Sequence, residues 1–156
     1  MLKFKIYIDT SVIGGCFDDE FAEYSNLLID EFIMGKKIAV ISNITLKELK
    51  QAPEKVRQKL DEIPKENIEY VVLSEEAEEL AQKYIENGVI SSSFLLDAEH
   101  IAIATVERID IVASWNFKHI VNIKKIRGFN SVNIKEGYQI LEIRTPMEVI
   151  DENQEI

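Results

Sequence analysis

The sequence is short of the residues that staple or punctuate a chain. Cys16 is its only cysteine, so no disulfide closes within it, and His100 and His119 have no cysteine partners at zinc spacing. A disulfide-framework secreted domain and a zinc-finger module are thereby excluded, and a reducing cytoplasm fits best. With three prolines and six glycines in 156 residues, there is no linker, repeat or low-complexity segment at which to divide the chain. No apolar run reaches the roughly 20 residues of a membrane span. Lys3 and Lys5 interrupt the first apolar stretch, which lacks the core and cleavage site of a secretory signal. The expectation is a soluble cytoplasmic protein with no membrane partner. Positive charge is scarce too. Lys and Arg number 18 against 28 Asp and Glu, a net charge of -10, and long-range repulsion of that size argues against indiscriminate binding to a phosphate backbone.

What is present is a regular alternation. "FKIYI", "IAVIS", "EYVVLS" and "DIVASW" are short apolar runs rich in Ile and Val, the pattern of buried strands. Between them lie amphipathic segments. Ala22 to Met34 ends at Gly35, a residue suited to the left-handed position after a helix. Pro53 opens a helix in which Val56, Leu60 and Ile63 share a face. Ser74 to Asn87 has an N-cap serine, acids in its first turn, and Ala77, Leu80, Ala81, Tyr84 and Ile85 at helical spacing. A further helix is expected over Leu95 to Arg108. Strands separated by helices predict an α/β protein with a central parallel sheet and helices on both faces. "VNI" and "YQILEI" read as one or two more short strands, residues 1–145 as a single domain, and residues 146–156 as an acidic, frayed C-terminal tail.

In an open parallel sheet, ligands bind beyond the carboxyl ends of the strands. Asp9 follows the first strand, Glu48 lies just past the second, Asp97 begins the helix "LLDAEHIAIATVE", and Asn116 follows "DIVASW". Simple winding puts all four on one rim. Two unit charges about 4 Å apart repel by roughly 4 kcal/mol at an effective dielectric of about 20, so such a cluster needs protons or a cation. Oxygen-only ligands select a hard ion, Mg²⁺ or Mn²⁺, and the chemistry that follows is hydrolysis at phosphorus.

Each residue also has a plainer reading. Asp9 and Asp97 fit helix N-caps, and Thr45-Leu46-Lys47-Glu48 fits a capping box. His100 and His119 read as partly buried hydrogen-bonding residues, Trp115 as core or rim packing unless exposed to a base, and Ser11 as a first-turn hydroxyl or a support for Asp9. From Asn116 to Lys135 there is no acid, while Lys118, Lys124, Lys125, Arg127 and Lys135 are basic. This run is either a solvated face or a set of phosphate contacts.

In order and spacing, "YIDTSVIGG", "SNITLKEL", "LLDAEHIAIAT" and "VASWNFKHIV" resemble a PIN domain, the fold of VapC-type toxins of toxin-antitoxin pairs. The resemblance implies a three-layer α/β/α sandwich and a metal-dependent endoribonuclease, acting as a homodimer and blocked by an antitoxin protein. It also implies that Asp9, Glu48 and Asp97 are the acidic ligands of Mg²⁺ or Mn²⁺, with Ser11 and Ser114 supporting them. Asn116 stands where the family often has a fourth acid. An amide brings no charge, so a second cation would bind less tightly, and a weak or inactive module that binds RNA or a partner protein is the alternative. The expected division of labour is that Asp9 and Asp97 hold the ion, Glu48 positions or deprotonates the attacking water, and Asn116 orients water or substrate. Lys118, Lys124, Lys125 and Arg127 would contact RNA. A phosphatase of the haloacid dehalogenase type is disfavoured, because no second Asp lies two residues after Asp9.

Overall fold

The computed structural model describes residues 2–151. Five strands form one parallel sheet: β1 (Lys5–Ile8), β2 (Ile38–Ser42), β3 (Ile68–Val71), β4 (Ile111–Ala113) and β5 (Glu142–Arg144). Their spatial order is β3-β2-β1-β4-β5. The chain winds outward from β1 through β2 to β3, then crosses back to place β4 on the other side of β1. That reversal makes the β1/β4 gap the switch point of the sheet, where a crevice opens beyond the strand ends.

Side-chain alternation along the strands builds two cores. Ile6, Ile8, Ala39, Ile41 and Ala113 face one way, against α1 (Thr10–Gly15), α2 (Ala22–Ile33), α4 (Glu54–Asp61) and α8 (Pro146–Val149). Tyr7, Val40, Val112 and Ile143 face the other way, against α5 (Glu75–Glu86), α6 (Leu95–Val106) and α7 (Ile123–Lys135). Sheet residues one apart thus enter opposite cores, which is the period-2 rule acting on a sheet covered on both faces. The expected α/β/α sandwich is what the chain forms. A short helix, α3 (Asn43–Leu49), follows β2 directly.

Local chemistry sets the boundaries. Ser74 caps α5 by accepting from the Ala77 amide at 3.1 Å, and Gly35 takes φ +75° after α2. Within α7, Gly128 is a packing residue: a Cβ there would lie 2.8 Å from Val89 Cγ1.

Two expectations are corrected. "VNI" lies inside α7, not in a strand, and only Glu142–Arg144 of "YQILEI" and its neighbour pairs with the sheet. The segment expected to fray from residue 146 carries α8 instead. Thr145 and Glu148 form a capping box, and Val149 and Ile150 are buried in the core. Asp151 then meets the buried Lys37 at 2.7 Å. Residues 152–156 of the expected tail lie outside the described residues. None of the described helices is long and apolar enough to cross a membrane.

Candidate active site

The buried carboxylate of Asp9 stands at the switch point, immediately beyond β1. Its Oδ1 accepts from the Ser11 hydroxyl at 2.5 Å and from the Val12 amide at 3.3 Å, so Asp9 is also the N-cap of α1. Ser114, fully buried just past β4, donates to Oδ2 at 2.7 Å. The Ser11 hydroxyl in turn accepts from the Trp115 amide at 3.0 Å, and Ser114 from the Asn116 amide at 3.0 Å. Two strand ends are thereby laced together around one acid. The supporting roles expected of Ser11 and Ser114 correspond to these contacts, and the capping and site readings of Asp9 describe the same geometry.

Asp97 sits in the first turn of α6, and Phe94, not Asp97, holds the N-cap position. Burial pushes its carboxyl above the usual range; the His100 and His119 imidazoles oppose this, and the charges of Asp9 and Glu48 reinforce it. Those mutual effects place three acids in one electrostatic neighbourhood. Asn116 donates its side-chain amide to Asp97 Oδ1 at 3.3 Å, while its carbonyl oxygen accepts from the His119 backbone at 3.0 Å. Through its amide nitrogen Asn116 steadies the third acid, and its carbonyl oxygen keeps one lone pair beyond the His119 bond.

Glu48 is turned elsewhere. Its Oε1 lies 2.8 Å from His100 Nε2 and accepts from the Thr10 hydroxyl at 3.3 Å. The capping box expected with Thr45 does not form, because Ser42 is the N-cap of α3 and takes the Thr45 amide at 3.2 Å. His100 is buried, with Nδ1 2.5 Å from the Tyr7 hydroxyl, which lies 2.7 Å from Ser42 Oγ. A carboxylate only accepts, so Nε2 carries the proton. Burial alone would raise Glu48 and lower His100. The hydrogen bond and charge between them win, holding the Glu48 carboxyl below its usual range and the imidazole above its own, aided on the His100 side by Asp9 and Asp97.

The expected three-acid ligand cage of Asp9, Glu48 and Asp97 is not assembled: among the described residues, no three His, Cys, Asp or Glu side chains are grouped to hold a metal ion. His100 and Thr10 engage Glu48 Oε1, while the charges of Glu48 and Asp9 both act on Asp97. A carboxylate pair still suits Mg²⁺ or Mn²⁺, since such ions commonly take one or two protein carboxylates and fill the remaining positions with water and phosphate.

The cationic run divides. Lys118, Lys124 and Arg127 are exposed, but Lys125 is half-buried and donates to the Val89 carbonyl at 2.6 Å, so it acts as a brace for α7. His119 stacks on Phe94 with ring centroids 3.7 Å apart. Trp115 stacks on Phe21 at 4.5 Å and donates to Ser25 Oγ at 2.8 Å. The Tyr7–His100–Glu48 chain was not legible locally, because its members come from β1, α6 and α3. Thr10 was more visible, as the first hydroxyl after Asp9.

No protein-family model matches the chain, and no curated protein matches it significantly in sequence. Solved structures do match in shape. VapC20 of Mycobacterium tuberculosis, a toxin that cleaves the sarcin-ricin loop, superposes with TM-score 0.54 at 15% identity, over 73% of this chain and 92% of its own. VapBC2 of Rickettsia felis, solved bound to a DNA fragment from its promoter, matches with TM-score 0.54 at 17% identity, over 90% of this chain and 98% of its own. Identities this low speak for the fold. In fold, the chain is similar to these two VapC structures.

Proposed function

We propose that the chain is a divalent-metal-dependent endoribonuclease that hydrolyses RNA phosphodiester bonds, and the toxin of a toxin-antitoxin pair. The observation that carries this reading is a buried acid at the switch point, Asp9, clamped by Ser11, Ser114 and the Val12 amide and electrostatically coupled to Asp97 and Glu48. Like charges gathered at a ligand crevice cost stability and find their use when a cation arrives. Asp9 and Asp97 would hold it. When bound, Mg²⁺ or Mn²⁺ supplies neutralisation of the phosphoryl oxygens and a more acidic water.

The chain's own residues do the rest. The two serines keep Asp9 from rotating, and the Asn116 amide aims Asp97. Glu48, oriented by His100 and Thr10, has its second oxygen available to accept the proton of the attacking water. Lys118, two residues beyond Asn116, together with the exposed Lys124 and Arg127, would take phosphates and give an acidic protein one productive orientation on a strand. Leu96 and Phe117 are about half exposed beside Asp97 and Asn116 in sequence. That apolar rim is the kind of surface an antitoxin segment would cover, and a homodimer is proposed by analogy of fold.

The test is cleavage of a mixed RNA panel by purified protein with Mn²⁺, Mg²⁺ or EDTA, beside Asp9→Asn. Cleavage that requires metal and disappears in the variant supports the reading; cleavage unchanged in EDTA or in the variant refutes it. One observation favours a second reading. Glu48 Oε1 is held by His100, and among the described residues no three His, Cys, Asp or Glu side chains are grouped to hold a metal ion. A module that binds RNA or a partner protein without turnover would look the same. Processed RNA ends under multiple-turnover conditions would exclude it.

A further inference from the structure

Beside the acids lies a second feature that the hydrolytic reading does not use. A cavity of about 420 Å³ opens between α1, the loop that joins it to α2, and the segment after β4, with Gly14, Gly15, Asp18, Phe21 and Trp115 in its lining. It shares Ser11 and Asn116 with the acid cluster, so whatever fills it sits next to Asp9. The volume falls within the roughly 300–1,000 Å³ of sites that take small organic groups.

The walls are built to keep an aromatic surface in place. Phe21 and Trp115 stack at 4.5 Å with planes 19° apart, and the indole is pinned by its bond to Ser25, whose hydroxyl donates to the Val12 carbonyl at 2.7 Å. Gly15 makes this seat possible, because a Cβ there would stand 2.6 Å from Ser25 Oγ and 3.0 Å from Trp115 Nε1. Gly14 is different. A Cβ on it meets nothing within 4 Å, and its backbone is helical, so the floor of the cavity is open for lack of a side chain. Asp18 is the lone charged group in the lining, and one of its oxygens already accepts from the Glu20 amide at 2.8 Å.

We propose that this cavity receives one unstacked nucleobase of the RNA strand whose phosphate lies at the acids. A phosphate is excluded from the cavity itself by the Asp18 charge. A base brings what the lining lacks: a flat π-face for the Phe21–Trp115 pair, and edge N–H donors for an acceptor-only carboxylate. This rests on the nuclease reading and deepens it by naming the subsite that holds a base beside the acids.

Trp115 is the only tryptophan, so its emission reports on the cavity directly. The measurement is titration of the full chain in EDTA with a short single-stranded RNA of mixed sequence, and with the same ribose-phosphate backbone carrying no bases. Wild type and Gly14→Leu are compared, after circular dichroism shows the same helix content in each. The proposal expects Trp115 emission to change with the RNA, and the apparent affinity to fall between about fivefold and a hundredfold both on removing the bases and on filling the floor with Leu. Gly14→Ala, adding one methyl group, gives a smaller loss. Equal responses to the base-free backbone, an unaltered response in Gly14→Leu, or no response to RNA in the wild type would each overturn it. Because EDTA prevents metal-dependent cleavage, a failed nuclease assay leaves this outcome readable, and an active nuclease with a silent Trp115 would remove the cavity alone.

Discussion

The two ends of the sheet both bury charge, and they do so in opposite ways. At the amino end, before β2, Lys37 is sequestered with the fully buried Glu31 at 2.5 Å and with Asp151 at 2.7 Å. Burial works against the Lys37 ammonium, yet the hydrogen bonds it donates to Asp151 and Glu31 raise its pKa above the ordinary value. Both carboxylates there touch the one ammonium. At the carboxyl end, Asp9, Glu48 and Asp97 act on one another, and the neighbours that hold them are hydroxyls, amides and the imidazoles of His100 and His119. The first arrangement is closed and ties α8 and α2 to the sheet. The second is incomplete in charge, which is how a ligand site differs from a structural ion pair.

If the amino-end group is structural, removing its cation should be costly. Lys37→Met takes away the ammonium that balances Glu31 and should lower stability by about 3 kcal/mol or more, read from urea unfolding. A loss below about 1 kcal/mol would erase the contrast between the two ends.

His100 is the next test, since it is the link between Glu48 and Tyr7 in the polar end. His100→Leu takes the imidazole from the Tyr7 hydroxyl and strips Glu48 of its strongest partner. A loss of about 2 kcal/mol in the same unfolding measurement is expected. An unchanged midpoint would mean that the imidazole is incidental to the fold.

The smallest effect has the opposite sign. Asp97 is raised above its unfolded value, so its ionised form is disfavoured in the folded protein, and the stability it contributes when protonated is lost as pH rises through the folded pKa. Asp97→Asn should therefore stabilise the metal-free protein near pH 7, by under about 1 kcal/mol given its partial exposure. The gain should vanish as pH falls below the ordinary carboxylate value, where Asp97 is protonated in both states. Denaturation with EDTA at a series of pH values checks this. Destabilisation at pH 7 would place Asp97 among the structural acids.

The sequence made the sheet legible because strands buried on both faces are written as short β-branched runs, and "KIYI", "IAVIS" and "DIVAS" carry that signature. Asp9 and Asn116 are placed by the same logic, since a polar group just after such a run is positioned by it, whereas Asp97 is placed by the start of α6. Where local rules failed, tertiary contacts had decided. "VNI" reads as a strand, yet it lies inside α7, a helix whose Gly128 leaves room for Val89. The acidic end of the chain hid a capping box at Thr145 and Glu148 that was present in the sequence and outweighed by composition. Glu48 was placed on the right rim but with the wrong partner, because Thr45 lies three residues away in sequence while His100 lies 52 away. The Phe21–Trp115 wall joins residues still farther apart in the chain.

The proposed function requires the acids at the carboxyl end of the sheet to take up a cation. The most direct measurement is calorimetric titration of Mn²⁺ into metal-free wild-type protein and into Asp9→Asn, each shown by circular dichroism to be folded. One saturable site in the wild type, weakened at least about a hundredfold or lost in the variant, is the predicted result. No saturable binding at millimolar Mn²⁺, or equal binding by both proteins, would contradict it and leave Asp9 as the cap of α1 alone.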